Sequence, residues 1–191
     1  RHLRGSKIEH QRDDEQWMTA DYPLLPVRRR FWERVLPALD RTGTGSQLRN
    51  QLRIVHEATK VSAEQSLGTV VPADFIYEQI AHNLLQTGVI AKDIYEQIAR
   101  LKGGDQDQQL QGRVLSLILL ISKLPTDIEL GIAATADSLS DLLVENLSEG
   151  KHELRAQVPK ALAELEAQSL IMSMQTQAGQ EYRLQTVESQ Q

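Results

Sequence analysis

LQGRVLSLILLISKLP (110–125), SLSDLLVENL (138–147), VPKALAELEAQSLI (158–171), SLIMSMQ (169–175) and EYRLQT (181–186) form the run that decides the fold. The first block is a strongly apolar helix that Pro125 must end. A short extended piece is expected at 127–132, then an amphipathic helix at 138–147 and a turn at 148–151. Pro159 fits best in the first turn of the next helix, where N–H groups lack intrahelical partners anyway, so that helix should start near Arg155. The last two blocks alternate as strands do, and TQAG (176–179) between them is a hairpin signal. Helix, short strand, helix, turn, helix and two-stranded wing, in that order, is the plan of a winged-helix domain. Its expected core is Leu115, Ile118, Leu142, Leu143, Leu162 and Leu165.

Upstream of Asp105 the pattern is helical and more polar. Residues 1–25 read as a loosely held approach segment with some helix. Pro23 and Pro26 break the chain at 22–26, and Pro26 then opens a helix to about Leu39. The loop TGTG (42–45) and Ser46, a good N-cap, precede a helix of about fifteen residues. Pro72 or Asp74 opens another, closed by Gly88, and a further helix runs from about Ile90 to Gly103-Gly104. FIYEQIA (75–81) and DIYEQIA (93–99) echo one another, but two copies do not make a solenoid. The expected fold is therefore mainly α: a helical bundle over 26–103, then a winged helix over 105–187 with a small β-wing.

Bulk composition agrees. Aromatics are only 4% of the 191 residues, so cores must be built from Leu, Ile, Val and Ala, which favours packed helices. There is no cysteine, which removes disulfides and thiolate metal sites and fits a cytoplasmic location. No apolar run is long enough for a membrane span. The chain begins at Arg1 and is read as a fragment. Residues 1–60 hold twelve Lys and Arg against eight Asp and Glu, whereas 61–191 hold nine against eighteen. Phosphate backbones demand a basic footprint, so duplex DNA should bind the C-terminal half weakly or not at all. On the outward face of the last helix, Gln157, Lys160 and Glu164 are the candidates to meet a partner.

Catalytic signatures are incomplete. Neither Gly43 and Gly45 nor Gly103 and Gly104 are followed by Gly-Lys-Ser/Thr, so no P-loop is present. The five histidines (2, 10, 56, 82 and 152) lack metal-ligand spacing. The chain alone is thus expected to be no enzyme. In SQLRNQLRIVHEA (46–58) and the two residues after it, Leu48, Leu52, Val55 and Thr59 form one helical stripe. Arg49, Arg53, His56 and Lys60 form a second beside it. Arginine forks grip phosphate bidentately, which suits a nucleotide contact from a neighbouring domain. A solvated amphipathic helix with an Arg53–Glu57 pair is the competing account. Arg28, Arg29 and Arg30 stand at consecutive helix positions and so cannot form one patch.

The blocks DYPLLPVRRRFWERVL (21–36), TGTGSQLRNQLRIVHEA (42–58) and LGTVVPADFIYEQ (67–79) resemble the large P-loop ATPase of bacteriophage-exclusion (BREX) systems. That family is in turn related to the ATPase of the phage growth limitation system. ADSLSDLLVENL (136–147), LRAQVPKALAEL (154–165) and EYRLQTVES (181–189) agree in order. The resemblance implies an AAA+-like parent with its nucleotide-binding core upstream. It makes 26–103 the lid and 105–187 the winged helix, with ATP and Mg²⁺ bound by the parent and no cofactor in this part. It implies antiviral defence in a multi-protein complex, with the upstream core and other defence proteins as partners and room for a homo-oligomer. Since AAA+ lids present arginine to terminal phosphates, it makes Arg49 the phosphate contact and Arg53 its support. The alternatives are a DNA-binding winged-helix regulator and a helical protein-interaction scaffold.

Overall fold

A computed structural model of the chain describes residues 3, 6–39, 47–124, 131–148 and 151–185. Within these lie eight helices: α1 (Asp14–Asp21), α2 (Pro26–Leu39), α3 (Gln47–Ala63), α4 (Phe75–Gln86), α5 (Lys92–Lys102), α6 (Gln106–Ser122), α7 (Ala136–Leu143) and α8 (Lys151–Ala167). Two strands, β1 (Ile171–Thr176) and β2 (Gly179–Leu184), pair antiparallel from Ile171 opposite Leu184 to Thr176 opposite Gly179. The protein is mainly helical, with a small two-stranded sheet near its C-terminal end. Gly179 has φ +105°, which a side chain would resist, and this allows the tight hairpin.

Local chemistry explains most boundaries. Pro26 opens α2, and Gly88 at φ +67° follows the C-cap of α4. Helix α6 starts four residues before the apolar block at 110–125: Asp105 caps it at Gln106, accepting from the Gln108 N–H at 2.9 Å while Gln108 Oε1 accepts from the Asp105 N–H at 3.1 Å. This reciprocal box satisfies two otherwise orphaned donors. The same helix ends at Ser122, just short of Pro125, because a residue before proline is driven out of the helical region. Gly112 lies inside α6, where glycine ordinarily costs about 0.5–1 kcal/mol. Its reason is close approach: a Cβ there would stand 2.8 Å from Lys102 Cγ and 3.1 Å from Lys102 N of α5.

Three expectations are corrected. Residues 144–147 are not helical; α7 stops at Leu143, and the chain pairs instead with 68–70. Val70 N–H donates to the Glu145 carbonyl at 2.7 Å and Leu147 N–H to the Gly68 carbonyl at 2.9 Å. Helix α8 begins at Lys151, so Pro159 sits in its third turn and leaves the Arg155 carbonyl without an i+4 donor. Burial of Val158, Ala161, Leu162 and Leu165 against α6 and α7 outweighs that loss. Finally, the approach segment is not loose: Ile8 is buried, and Arg30 grips Asp14 through two 2.7 Å bonds. Arg30 also donates to the Glu9 carbonyl at 2.7 Å.

All six expected core leucines and isoleucines, from Leu115 to Leu165, are buried. They belong to one apolar cluster that continues through Phe31, Val35, Ile76 and Ile98 of the N-terminal helices. Leu162→Ala should therefore lower unfolding free energy by about 2–5 kcal/mol in urea titration, as for buried leucines generally. A second expectation concerns acid. Hydrogen bonding to Arg30 holds the Asp14 carboxyl below its ordinary value, overcoming desolvation. A depressed carboxylate stabilises fully above its unfolded value and stops doing so as pH falls through the folded one. Wild type should accordingly lose more stability on acidification below about pH 4 than Asp14→Asn, read as the difference between their melting temperatures.

Candidate functional site

Residues 69–72 run between turns at 67–68 and 73–74, and the buried Arg28 and the largely buried Arg113 tie this strap to the helices around it. Val71 N–H donates to the Pro23 carbonyl at 3.0 Å, and Ala73 N–H to the Leu142 carbonyl at 2.9 Å. Arg28 of α2 is only 3% exposed and donates to the Val71 carbonyl at 2.5 Å and the Asp141 carbonyl at 3.5 Å. Trp32, one turn on, donates to the Ala73 carbonyl at 2.9 Å. Burial pushes the Arg28 guanidinium down to about 10, against the pull of Asp74. It is still a cation at neutral pH.

Arg113 of α6 answers from the other side. Its Nε and Nη2 fork Asp74 at 2.8 and 3.1 Å, Nη2 also reaches the Leu143 carbonyl at 3.2 Å, and Nη1 pairs with Glu145 at 2.5 Å. Burial alone would lower its proton affinity, but Asp74 and Glu145 more than offset this and raise it. Planar, bidentate pairing of this kind fixes direction as well as charge. The outer edge of this guanidinium forms the inner wall of a cleft of about 480 Å³ between the start of α6, the end of α7 and the first half of α8. Leu110, Leu143 and Leu154 give the cleft apolar surface, while Asp107, Glu145 and Glu153 bring carboxylates.

Most of the sequence-derived candidates lie apart from this network, although Gln157 lines the cleft. Arg53, His56 and Lys60 are exposed on α3, and Arg49 lies in α3 with its side chain outside the described residues. The packed face of that helix is Ile54 and Ala58, not the stripe through Val55 and Thr59, both of which are exposed. At about 100° per residue the basic stripe thus stands roughly 150° from the packed face, pointing away from the neighbouring helices rather than flanking the contact. The Arg53–Glu57 pair is not formed among the described residues. The loop 42–45 and Ser46 lie outside the described residues. On α8, Lys160 and Glu164 are exposed, and Gln157 is half-buried and donates to Glu153 at 3.0 Å.

Arg28, Asp74 and Arg113 were the residues that sequence reasoning passed over. A signal for one existed: Arg28 shares helical spacing with Phe31, Val35 and Leu39, so it belonged to the apolar face. Arg113 likewise interrupts an apolar run that is buried on every side. Among the described residues no group of three or more His, Asp or Glu is placed to hold a metal ion, and no helix is long and apolar enough to cross a membrane. Compared with family models, curated proteins and solved structures, the chain matches none.

Removing one partner of a buried ion pair leaves the other uncompensated. Asp74→Asn should cost about 3 kcal/mol or more in urea denaturation, since it removes the charge that the Arg113 fork holds. Adding Arg113→Met should recover part of the loss, so that the double-mutant cycle is strongly non-additive.

Proposed function

We propose that the chain is the C-terminal, non-catalytic module of a phage-defence ATPase. In this reading 26–103 acts as an AAA+ lid and 105–187 as a winged helix that docks protein rather than DNA. The observation that carries it is the order α6, α7, α8, β1, β2, together with one bond: Tyr182 N–H of β2 donates to the Ala134 carbonyl at 3.0 Å. The segment just before α7 thus touches the wing, while most of the short strand expected at 127–132 lies outside the described residues. The lid assignment and the defence role rest on the sequence blocks at 21–79 and 136–189 and their resemblance to the BREX ATPase.

Electrostatics favours a protein partner. The outward face of α8 offers Glu153, Gln157, Lys160 and Glu164, one positive charge to two negative. The hairpin tip at 176–180 adds no cation. Major-groove readers surround their base contacts with Lys and Arg, and this face does not. On α3 the exposed Arg53 stripe offers its charge to a surface outside this chain, which suits Arg49 as phosphate contact and Arg53 as support in the full ATPase.

Two measurements test the reading. Duplex DNA titrated into the chain at physiological salt should show no submicromolar binding; tight binding abolished by Lys160→Glu would overturn the docking role. In the full-length ATPase, Arg49→Ala should reduce ATP turnover and phage restriction by an order of magnitude or more, and Arg53→Ala by less. Unchanged turnover and restriction in both folded variants would leave α3 as a solvated helix.

A further inference from the structure

The cleft beside Arg113 carries an inference of its own, which rests on the docking reading of α8 and names the chemistry of what docks. We infer that this cleft receives a lysine- or arginine-bearing segment of a partner protein. Its charge is one-sided. Asp107, Glu145 and Glu153 line it, against Arg113 as its sole lining cation among the described residues. That cation is already matched, by the Asp74 fork behind it and by Glu145 beside it. Arg155, two residues along α8 from Glu153, is engaged by Asp141 at 3.2 Å. An anionic ligand would face uncompensated carboxylates here, whereas a cation finds them unopposed.

Two of the three carboxylates, Asp107 and Glu153, are also free to act, while Glu145 is paired with Arg113 but stays accessible. Asp107 has no hydrogen-bond or ion-pair partner among the described residues, and it stands in the first turn of α6. Glu145 has its side chain 55% exposed. One oxygen of Glu153 accepts from Gln157 at 3.0 Å, which steadies the carboxylate and leaves its second oxygen available. Shape adds the second half of the match. A long basic side chain is an apolar stem with a charged head. Leu110, Leu143 and Leu154 offer the stem a wall, while the acids at the rim await the head. A volume of 480 Å³ accommodates a few side chains rather than a single ion. Acidic residues thus occupy part of the surface that a DNA-reading module would make basic.

The test uses the ¹⁵N-labelled 191-residue chain and three acetylated twelve-residue probes: arginine alternating with alanine, lysine alternating with alanine, and glutamate alternating with alanine. The two basic peptides should bind with salt-sensitive affinity and shift amides at 106–113, 143–146 and 153–157, and the glutamate peptide should not. Asp107→Asn with Glu153→Gln should weaken binding roughly five- to tenfold, while Glu96→Gln on the far side of α5 should change it less than twofold. Absent binding, shifts spread over other surfaces, or an equal effect of Glu96→Gln would each overturn the proposal, the last by reducing it to net charge. Duplex DNA run in parallel separates the two readings. Tight DNA binding sinks the docking role itself; silence from both DNA and peptides sinks only the cleft.

Discussion

The pairing of Asp74 with Arg113 is the interaction on which the rest of this structure leans. Asp74 directly precedes α4 and ends the strap 68–74. Arg113 lies near the middle of α6 and is held by α4's cap residue, by the last carbonyl of α7 and by Glu145 just beyond it. Four segments therefore meet at one guanidinium. Arg28 closes the strap from the opposite side through backbone carbonyls alone. Two buried cations are tolerable here because every donor direction that matters finds a carbonyl or carboxylate, which is the condition for burying charge.

That arrangement explains why the helices before and after Asp105 share one apolar cluster. The strap has unpaired N–H and C=O groups that would be costly if buried alone. Pro23, Glu145, Leu142 and Arg28 satisfy them from both sides. Residues 144–147 are drawn out of the helix to supply part of this pairing, which also moves Glu145 beside Arg113 and opens the cleft between α6, α7 and α8. The same bonds that tie the molecule together thus shape this cleft.

Charge placement follows a simple division. Among the described cations of the N-terminal third, Arg28 and Arg30 are consumed internally, whereas Arg53 and Lys60 are displayed on α3. In the C-terminal part the acids outnumber the bases and several stay at the surface. Arg28, Arg29 and Arg30 show the division at its smallest scale. One is buried on the strap, one meets Asp21 at 3.3 Å and one grips Asp14, because successive helical positions point about 100° apart.

Helix and strand identity was legible in the sequence because it is set locally. Periodicity, the proline at 26, the glycines at 88, 103 and 104, and the alternation in 171–184 each act within a turn or two of chain. The helical class, the hairpin and the buried leucines of α6, α7 and α8 could be read for that reason. Where tertiary partners compete with local preference, the sequence was silent. Residues 144–147 look helical, yet the strap offers them better hydrogen bonds. Pro159 looks like a helix start, yet packing carries α8 through it. FIYEQIA and DIYEQIA are nearly the same peptide, yet Tyr77 is 3% exposed and Tyr95 only half-buried, since α4 is covered on more sides than α5. The site shows the same split. An exposed basic stripe is visible as spacing, whereas Asp74 and Arg113, thirty-nine residues apart, become one unit only when the chain folds back upon itself.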